Sequence, residues 1–216
     1  MSELKDRVKW SIIMFSTVIV CFYWHHAFSV LLTSVFIIAL FEWTNLCEKM
    51  PQITIDDKVY SHSRIRAFGF SMLLLFWLSA HWLYVKNNEI LKNTLLHVFA
   101  SDIGGYFGGR YMFPKSIKLW PSISPSKTVS GSFIAICFSL LACQILSTQW
   151  TFAVIISIGS QIGDLFESKA KRIAEVKDSN LDLFKIPGHG GILDRIDGLI
   201  FSIPLACMLQ ILIPKV

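Results

Sequence analysis

Long apolar blocks alternate with short polar segments along this chain, and most of the blocks have the length of a helix that crosses a membrane. A spanning helix needs about 20 mostly apolar residues. Seven stretches approach this requirement: Trp10–Trp24, Ala27–Trp43, Ala67–Val85, Ile90–Gly109, Val129–Leu146, Trp150–Phe166 and Ile196–Ile213. The first stretch is short and the fourth is polar. The pattern predicts an all-α, polytopic transmembrane protein with about seven spanning helices.

Composition and charge support this interpretation. Charged residues make up 16% of the chain, whereas about a quarter is usual for a soluble domain. If the amino terminus is cytoplasmic, the cytoplasmic segments hold all but three of the 20 lysine and arginine residues, the exceptions being Lys86, Lys92 and Lys215. Such a bias predicts a cytoplasmic amino terminus. We therefore interpret the net charge of +5 as a topology signal and expect no nucleic-acid partner.

The two halves of the chain differ in kind. Residues 1–100 consist of apolar stretches typical of structural membrane helices. Residues 101–216 contain three polar, glycine-bearing stretches, Asp102–Arg110, Trp120–Gly131 and Gln161–Gly198, all near the cytoplasmic ends of the predicted helices. We therefore predict a structural amino-terminal region and a catalytic region over 101–216.

The third polar stretch carries the densest set of reactive side chains. The helix that begins at Trp150 is predicted to continue through Lys169–Arg172, and at 100° per residue it places Asp164, Ser168 and Lys171 on one stripe. A loop with several glycines follows. Asp194 and Asp197 then lie three residues apart at the start of the last helix.

Phosphate chemistry explains this set of residues. A nucleoside triphosphate reacts together with a divalent metal, and hard cations bind carboxylate oxygens. The predicted metal ligands are Asp164, Asp194 and Asp197. Cationic side chains would neutralise the phosphates. The candidates for this role are Lys171, Arg172, Lys177 and Arg195.

Other charged residues have a simpler interpretation. Lys169, Lys185, Glu175 and Asp182 are typical of a solvated helix flank and loop. Asp164 is different, because a carboxylate within a spanning helix is costly and usually functional. His189 is consistent either with a structural role or with a contact to substrate.

The run Ser168-x-x-Lys171-Arg172-x4-Lys177-Asp178…Pro187-Gly188-His189-Gly190-Gly191-x-x-Asp194-Arg195-x-Asp197 closely resembles the signature of the phosphatidate cytidylyltransferases (CDP-diacylglycerol synthases). Two further segments are similar to segments of the same family. They are Asp102-x-x-Gly105-Tyr106-x-x-Gly109-Arg110 and Ser124-Pro125-x-Lys127-Thr128-x-Ser130-Gly131. The resemblance covers roughly residues 100–200.

The resemblance implies transfer of CMP from CTP to phosphatidate, at the cytoplasmic face of a bacterial inner membrane. It implies Asp164 and Asp194 as the principal ligands of Mg²⁺, with Ser168 and Lys171 as essential polar partners. It also implies a second, monovalent cation such as K⁺, and a homodimer. Together with the residue chemistry it predicts these substrate-binding residues: Asp102, Ser124, Lys127, Arg172, Lys177, Asp178, His189, Gly190, Gly191 and Arg195.

The chain also departs from the family pattern. Ser130 stands where the family usually has Glu, Phe113-Pro114-Lys115 replaces Phe-Gly-Lys, and the loop between Asp178 and Pro187 is longer than usual. Three rival functions are a CTP-dependent lipid-alcohol kinase, a CDP-ether-lipid synthase and a cation transporter. The transporter is disfavoured, because transporters commonly contain internal repeats and ionisable groups at the bilayer midplane.

Overall fold

The computed structural model describes residues 13, 16–18, 20–22, 24–51, 53–55, 58–60, 62–113, 116–179 and 190–213. Six helices dominate this part of the chain: α1 His25–Lys49, α2 Ser63–Lys86, α3 Asn88–Phe107, α4 Val129–Leu146, α5 Trp150–Ile173 and α6 Leu193–Leu212. A π-helical turn, Gly108–Met112, extends α3. Two antiparallel hairpins complete the fold: β1 Ile53–Ile55 with β2 Lys58–Tyr60, and β3 Lys118–Trp120 with β4 Ser124–Thr128.

Six of the seven predicted apolar stretches are helices, and seven of the 15 residues of the remaining stretch, Trp10–Trp24, lie outside the described residues. Within the described part of the chain, four helices are long and apolar enough to cross a membrane: His26–Lys49 of α1, α2, α4 and α6. The other two, α3 and α5, carry the polar residues of the predicted catalytic stretches. The chain thus has the helices of a membrane protein, and the count of seven spans stays a prediction.

The two hairpins are an addition to the all-α expectation. Three of the four strands are only three residues long. Strands this short leave little alternation of polar and apolar residues in the sequence, so a periodicity argument misses them.

The described chain divides into two compact units. The first unit comprises Met1–Trp77 and Ala170–Ile196. In it, the ring nitrogen of the buried Trp43 on α1 donates a hydrogen bond to the carbonyl of Arg66 on α2 at 3.2 Å. The rings of Phe36 and Trp77 stack with their centroids 5.3 Å apart. Contacts of aromatic side chains therefore hold α1 against α2 at two points, near Arg66 and at Trp77.

The second unit comprises Leu78–Lys169 and Asp197–Val216. Here α3 packs along α4, and buried polar side chains join its helices. His97 on α3 hydrogen-bonds to Ser139 on α4 at 3.0 Å and to Thr148 at 2.9 Å. Hydrogen bonds of this kind are a common way for helices to associate within a membrane. The predicted division at residue 100 is a functional one, which this structural division does not test.

Candidate active site

The second unit contains a cavity of about 600 Å³ between the carboxy-terminal end of α3, the start of α4 and the middle of α5. It is lined by Ser101, Asp102, Gly105, Tyr106, Gly109, Arg110, Lys118, Leu119, Ser126, Lys127, Thr128, Gly131, Ser132, Ala135, Gln161 and Asp164. Most of these residues come from the three polar stretches that the sequence analysis singled out, and all three stretches contribute. Three predicted site residues, Asp102, Lys127 and Asp164, are among them.

Close approach of two backbones forms one wall of the cavity. A Cβ atom at Gly131 of α4 would lie only 2.9 Å from the carbonyl oxygen of Gly105 and 3.3 Å from the Cα of Gly109. A larger residue at Gly131 would push the start of α4 away from α3. The glycines of the first two motif segments thus act in packing, bringing Asp102 and Lys127 to the same cavity.

Lys127 is held at a strand-to-helix junction. Thr128 is the N-cap of α4, and its side-chain oxygen accepts a hydrogen bond from the backbone N–H of Gly131 at 3.0 Å. Threonine is a favoured N-cap because it satisfies an amide that has no partner within the helix. Since β4 pairs with β3 immediately before this cap, the backbone that carries Lys127 is fixed on both sides.

The charged groups of the cavity interact with one another. The Lys127 ammonium forms a salt bridge with Asp164, and Asp102 interacts electrostatically with both. The Ser160 hydroxyl donates a hydrogen bond to Asp102 at 3.4 Å, and the Ser168 hydroxyl donates one to Asp164 at 3.5 Å. Arg110 and Lys118 also line the cavity. Three cations thus accompany two carboxylates, a balance that suits an anionic ligand accompanied by a metal ion.

The donor atoms of the cavity fit Mg²⁺. Carboxylates and hydroxyls are hard oxygen ligands, and Mg²⁺ is usually bound by one or two carboxylates together with waters and substrate phosphates. Asp102 and Asp164 supply two carboxylates at this site. No group of three or more His, Cys, Asp or Glu side chains arranged to hold a metal ion occurs among the described residues.

The first unit brings together another pair of predicted catalytic residues. The Lys171 ammonium lies 2.7 Å from Oδ1 of Asp194. Oδ2 of Asp194 accepts hydrogen bonds from the backbone N–H groups of Gly191 at 2.8 Å and Ser179 at 3.2 Å. Asp194 therefore forms a salt bridge with Lys171, and it also links the backbone at Gly191 and at Ser179 to the first turn of α6.

Glu42 is a residue that the sequence analysis missed. It lies on α1 in the half of the chain that was interpreted as structural, and its side chain is fully buried. Its carboxylate accepts hydrogen bonds from the backbone N–H groups of Ile192 at 2.9 Å and Leu193 at 2.7 Å. A signal was present in the sequence, because Glu42 is a carboxylate within an apolar stretch, as Asp164 is.

The remaining predicted residues lie at several other places in the structure. Asp197 accepts a hydrogen bond from the N–H of Gly198 at 2.8 Å, and Ser124 is buried in β4. Gly190 has a left-handed φ of +71°. His189 lies outside the described residues. Four more of these residues are exposed: Arg172, Lys177, Asp178 and Arg195. A single metal site built from Asp164, Asp194 and Asp197 stays a prediction.

A cavity lined by cations and carboxylates, in a chain with several long apolar helices, suits a membrane protein that handles phosphate groups. The profile of the cytidylyltransferase family matches residues 51–212, well over half of the chain. The chain therefore belongs to the cytidylyltransferase family.

The chain is also similar to several curated proteins. It is 39% identical over 143 residues to the phosphatidate cytidylyltransferase of Staphylococcus epidermidis, an alignment covering 60% of this chain and 53% of the relative. It is 40% identical over 117 residues to the phosphatidate cytidylyltransferase of Bacillus subtilis, covering 50% of this chain and 42% of the relative. The chain thus spans about half the length of these relatives. No solved structure matches it.

Proposed function

We propose that this chain transfers CMP from CTP to phosphatidate, forming CDP-diacylglycerol and pyrophosphate. Membership in the cytidylyltransferase family and the names of the similar bacterial proteins support this activity. The observation that carries the proposal is the cavity that gathers Asp102, Lys127 and Asp164 from three separate motif segments. Two carboxylates and an ammonium group around one cavity suit a polyphosphate bound together with a metal ion.

The basic residues of the cavity would bind the phosphates. Lys127, Arg110 and Lys118 all line it. In the reaction, a phosphate oxygen of phosphatidate attacks the α-phosphorus of CTP and forms a new P–O bond. The bond between the α-phosphorus and the oxygen that bridges to the β-phosphate breaks, and its electron pair leaves with pyrophosphate.

This reaction needs positioning more than it needs a base. The attacking phosphate is already anionic near neutral pH, so no strong general base is required. Holding both anions in line and neutralising their charge supplies most of the catalysis in phosphoryl-transfer enzymes. The cations of the cavity would serve this purpose.

Mg²⁺ is the cofactor that we propose. Asp164 and Asp102 would hold it in the cavity, and Asp194 and Asp197 are the further ligands that the sequence predicts. When bound, the metal supplies neutralisation of the phosphate charge. A second, monovalent cation such as K⁺ and a homodimer are proposals that depend on the family resemblance.

The site would face the cytoplasm from a bacterial inner membrane. The acyl chains of phosphatidate stay in the bilayer, so the site must lie at the level of the lipid headgroups. The excess of lysine and arginine in the predicted cytoplasmic segments supports this orientation. Labelling of single-cysteine variants in intact cells tests it, and external labelling of a cysteine at position 182 would contradict it.

One assay tests the activity directly. The purified chain is incubated with CTP labelled in the cytosine ring, phosphatidate and Mg²⁺, and the lipids are then extracted. We expect the label in the organic phase as CDP-diacylglycerol, and we expect Asp164→Asn to abolish it. A CTP-dependent lipid-alcohol kinase would instead leave all label in water-soluble CDP when given a lipid alcohol. A preference for ether-linked phosphatidate in competition would favour the CDP-ether-lipid synthase.

A further inference from the structure

Glu42 is a carboxylate on an apolar membrane helix. It lies within the candidate span His26–Lys49 and its side chain is fully buried. Burying a carboxylate is costly unless the charge is compensated by hydrogen bonds or an ion pair. Ionisable residues within membrane helices are for this reason rare and usually functional. The contacts of Glu42 should therefore show what it does.

The contacts of Glu42 are with the segment that leads into α6. Ile192 and Leu193 donate their backbone N–H groups to its two carboxylate oxygens at 2.9 and 2.7 Å. The first amides of a helix have no partner within the helix, and they attract negative charge. Glu42 thus acts as a cap for α6, supplied from a helix 150 residues earlier in the chain.

Glu42 also shares two neighbours with Asp194. The Ser179 hydroxyl donates to Glu42 at 3.4 Å, while the Ser179 N–H donates to Asp194 at 3.2 Å. Gly191 donates its N–H to Asp194 at 2.8 Å. A Cβ at Gly191 would lie 2.6 Å from Oε2 of Glu42, so only glycine fits between the two carboxylates.

We propose that Glu42 is a positioning residue that sets the place of Asp194, and through it of Lys171, by holding the Gly191–Leu193 backbone. The inference rests on the proposed function. Glu42 lies outside residues 51–212, which match the family, so neither the family signature nor the sequence analysis identified it. The amino-terminal region thereby contributes to the site rather than only to anchoring.

The test uses two variants and a matched control in the purified full chain. Glu42→Ala removes both acceptor oxygens, and Glu42→Gln keeps one of them. Glu48→Ala is the control, because Glu48 lies on the same helix and is exposed. The exchange rate of the backbone amide hydrogens of residues 190–196, monitored by mass spectrometry, shows how firmly Glu42 holds this segment. The rate of CDP-diacylglycerol formation at varied CTP concentration gives kcat and KM.

For Glu42→Ala we expect exchange in 190–196 to accelerate by about tenfold or more, since hydrogen bonds to a charged acceptor are lost. We expect kcat to fall by about tenfold or more and KM for CTP to change by less than about threefold, because displaced catalytic groups lower transition-state stabilisation. Glu42→Gln should lie between Glu42→Ala and wild type in both measurements, and Glu48→Ala should match wild type.

Two results would overturn the positioning role. Exchange in Glu42→Ala equal to that of the control would show that Glu42 does not hold the loop, and faster exchange with kcat within about twofold of wild type would leave it a purely structural role. If Glu42→Ala is not monodisperse, the same criteria apply to Glu42→Gln. A wild-type chain that forms no CDP-diacylglycerol would overturn the proposed function instead, whatever the exchange result.

Discussion

In the part of the chain that the structure describes, a lysine–aspartate salt bridge is found in each of the two units, and the surroundings of these two pairs differ. In the second unit, the side chains of Lys127 and Asp164 are 24% and 38% exposed and line a cavity. In the first unit, the side chains of Lys171 and Asp194 are only 17% and 12% exposed. Asp194 also accepts two backbone hydrogen bonds. One pair faces a space that a ligand can fill, and the other is built into the fold.

The difference teaches that the segments resembling the family combine two kinds of residue: those that line a cavity, such as Lys127, and those that hold a loop. The signature run contains Asp194 and Lys171, and it contains the glycine next to which Glu42 packs. Residues of this kind can be indispensable because they hold a loop, even when they do not touch substrate. Activity alone cannot separate the two roles, but activity measured together with stability can. The two aspartate variants with the largest expected effects therefore need both measurements.

The largest effect is expected for Asp164→Asn. The change removes a cavity carboxylate that we propose as a metal ligand, so turnover should fall below about 1% of wild type, a loss of roughly 3 kcal/mol or more. Stability should change by less than about 1 kcal/mol, because a partly exposed ion pair contributes little. The rate of CDP-diacylglycerol formation measures the turnover, and the apparent Tm in detergent measures the stability. Substantial residual turnover would remove Asp164 from the active site.

Asp194→Asn should differ from Asp164→Asn in stability. Turnover should again fall about a hundredfold, and the free energy of unfolding should also fall by about 2 kcal/mol, because a partly buried, charged acceptor of at least three hydrogen bonds is neutralised. For a chain of this size, this corresponds to a decrease in Tm of roughly 4–8 °C. An unchanged Tm for Asp194→Asn, or an equal decrease in Tm for Asp164→Asn, would contradict the proposed difference in stability between the two pairs.

Asp197→Asn should have an intermediate effect. Asp197 is the fifth residue of α6 and accepts a hydrogen bond from the neighbouring N–H of Gly198, which an asparagine oxygen can also accept. Even within the first turn of a helix a carboxylate contributes only about 0.3–1 kcal/mol, and Asp197 lies beyond that turn. We therefore expect turnover of about 1–20% of wild type, partly restored by additional Mg²⁺. Turnover below that of Asp194→Asn would show that the roles of the two aspartates are reversed.

The helices of this fold could largely be predicted from the sequence, because an apolar stretch long enough to span a membrane has few stable structures other than a helix. Val129–Leu146 is a helix with the predicted bounds. The sequence also predicts that the helix beginning at Trp150 continues through Lys169–Arg172. This is confirmed by α5, which ends at Ile173. The hairpins were missed because their strands are very short.

The site could be predicted only as a set of residues, and its contacts could not. Lys127 and Asp164 were both selected, but their pairing depends on how the hairpin before α4 packs against α5. The contact between Glu42 and Leu193 joins residues 151 positions apart. No local pattern encodes such a contact, and the carboxylate within an apolar stretch was its only trace.

The smallest effect is expected for Ser130→Glu, which restores the residue that is usual in the family. The Ser130 hydroxyl lies 3.3 Å from the Thr128 hydroxyl, and the backbone N–H of Ser130 donates a hydrogen bond to the Ser116 hydroxyl at 3.3 Å. Ser130 is not among the residues that line the cavity, whereas its neighbours Thr128 and Gly131 are. The side chain of a glutamate at position 130 would therefore leave the backbone at a point outside the cavity.

We expect turnover and the Mg²⁺ concentration for half-maximal activity to change by less than about threefold in Ser130→Glu, corresponding to less than about 0.7 kcal/mol. Ser130→Gln is the matched control, because it adds similar bulk without charge. If both variants lose activity equally, the added bulk disturbs the cap at Thr128. A large gain specific to Ser130→Glu would instead show that a third carboxylate completes the metal site in the second unit, so that Lys127 and Asp164 form only part of it. That result would make the difference from the Lys171–Asp194 pair larger, because the Asp194 carboxylate already accepts two backbone hydrogen bonds.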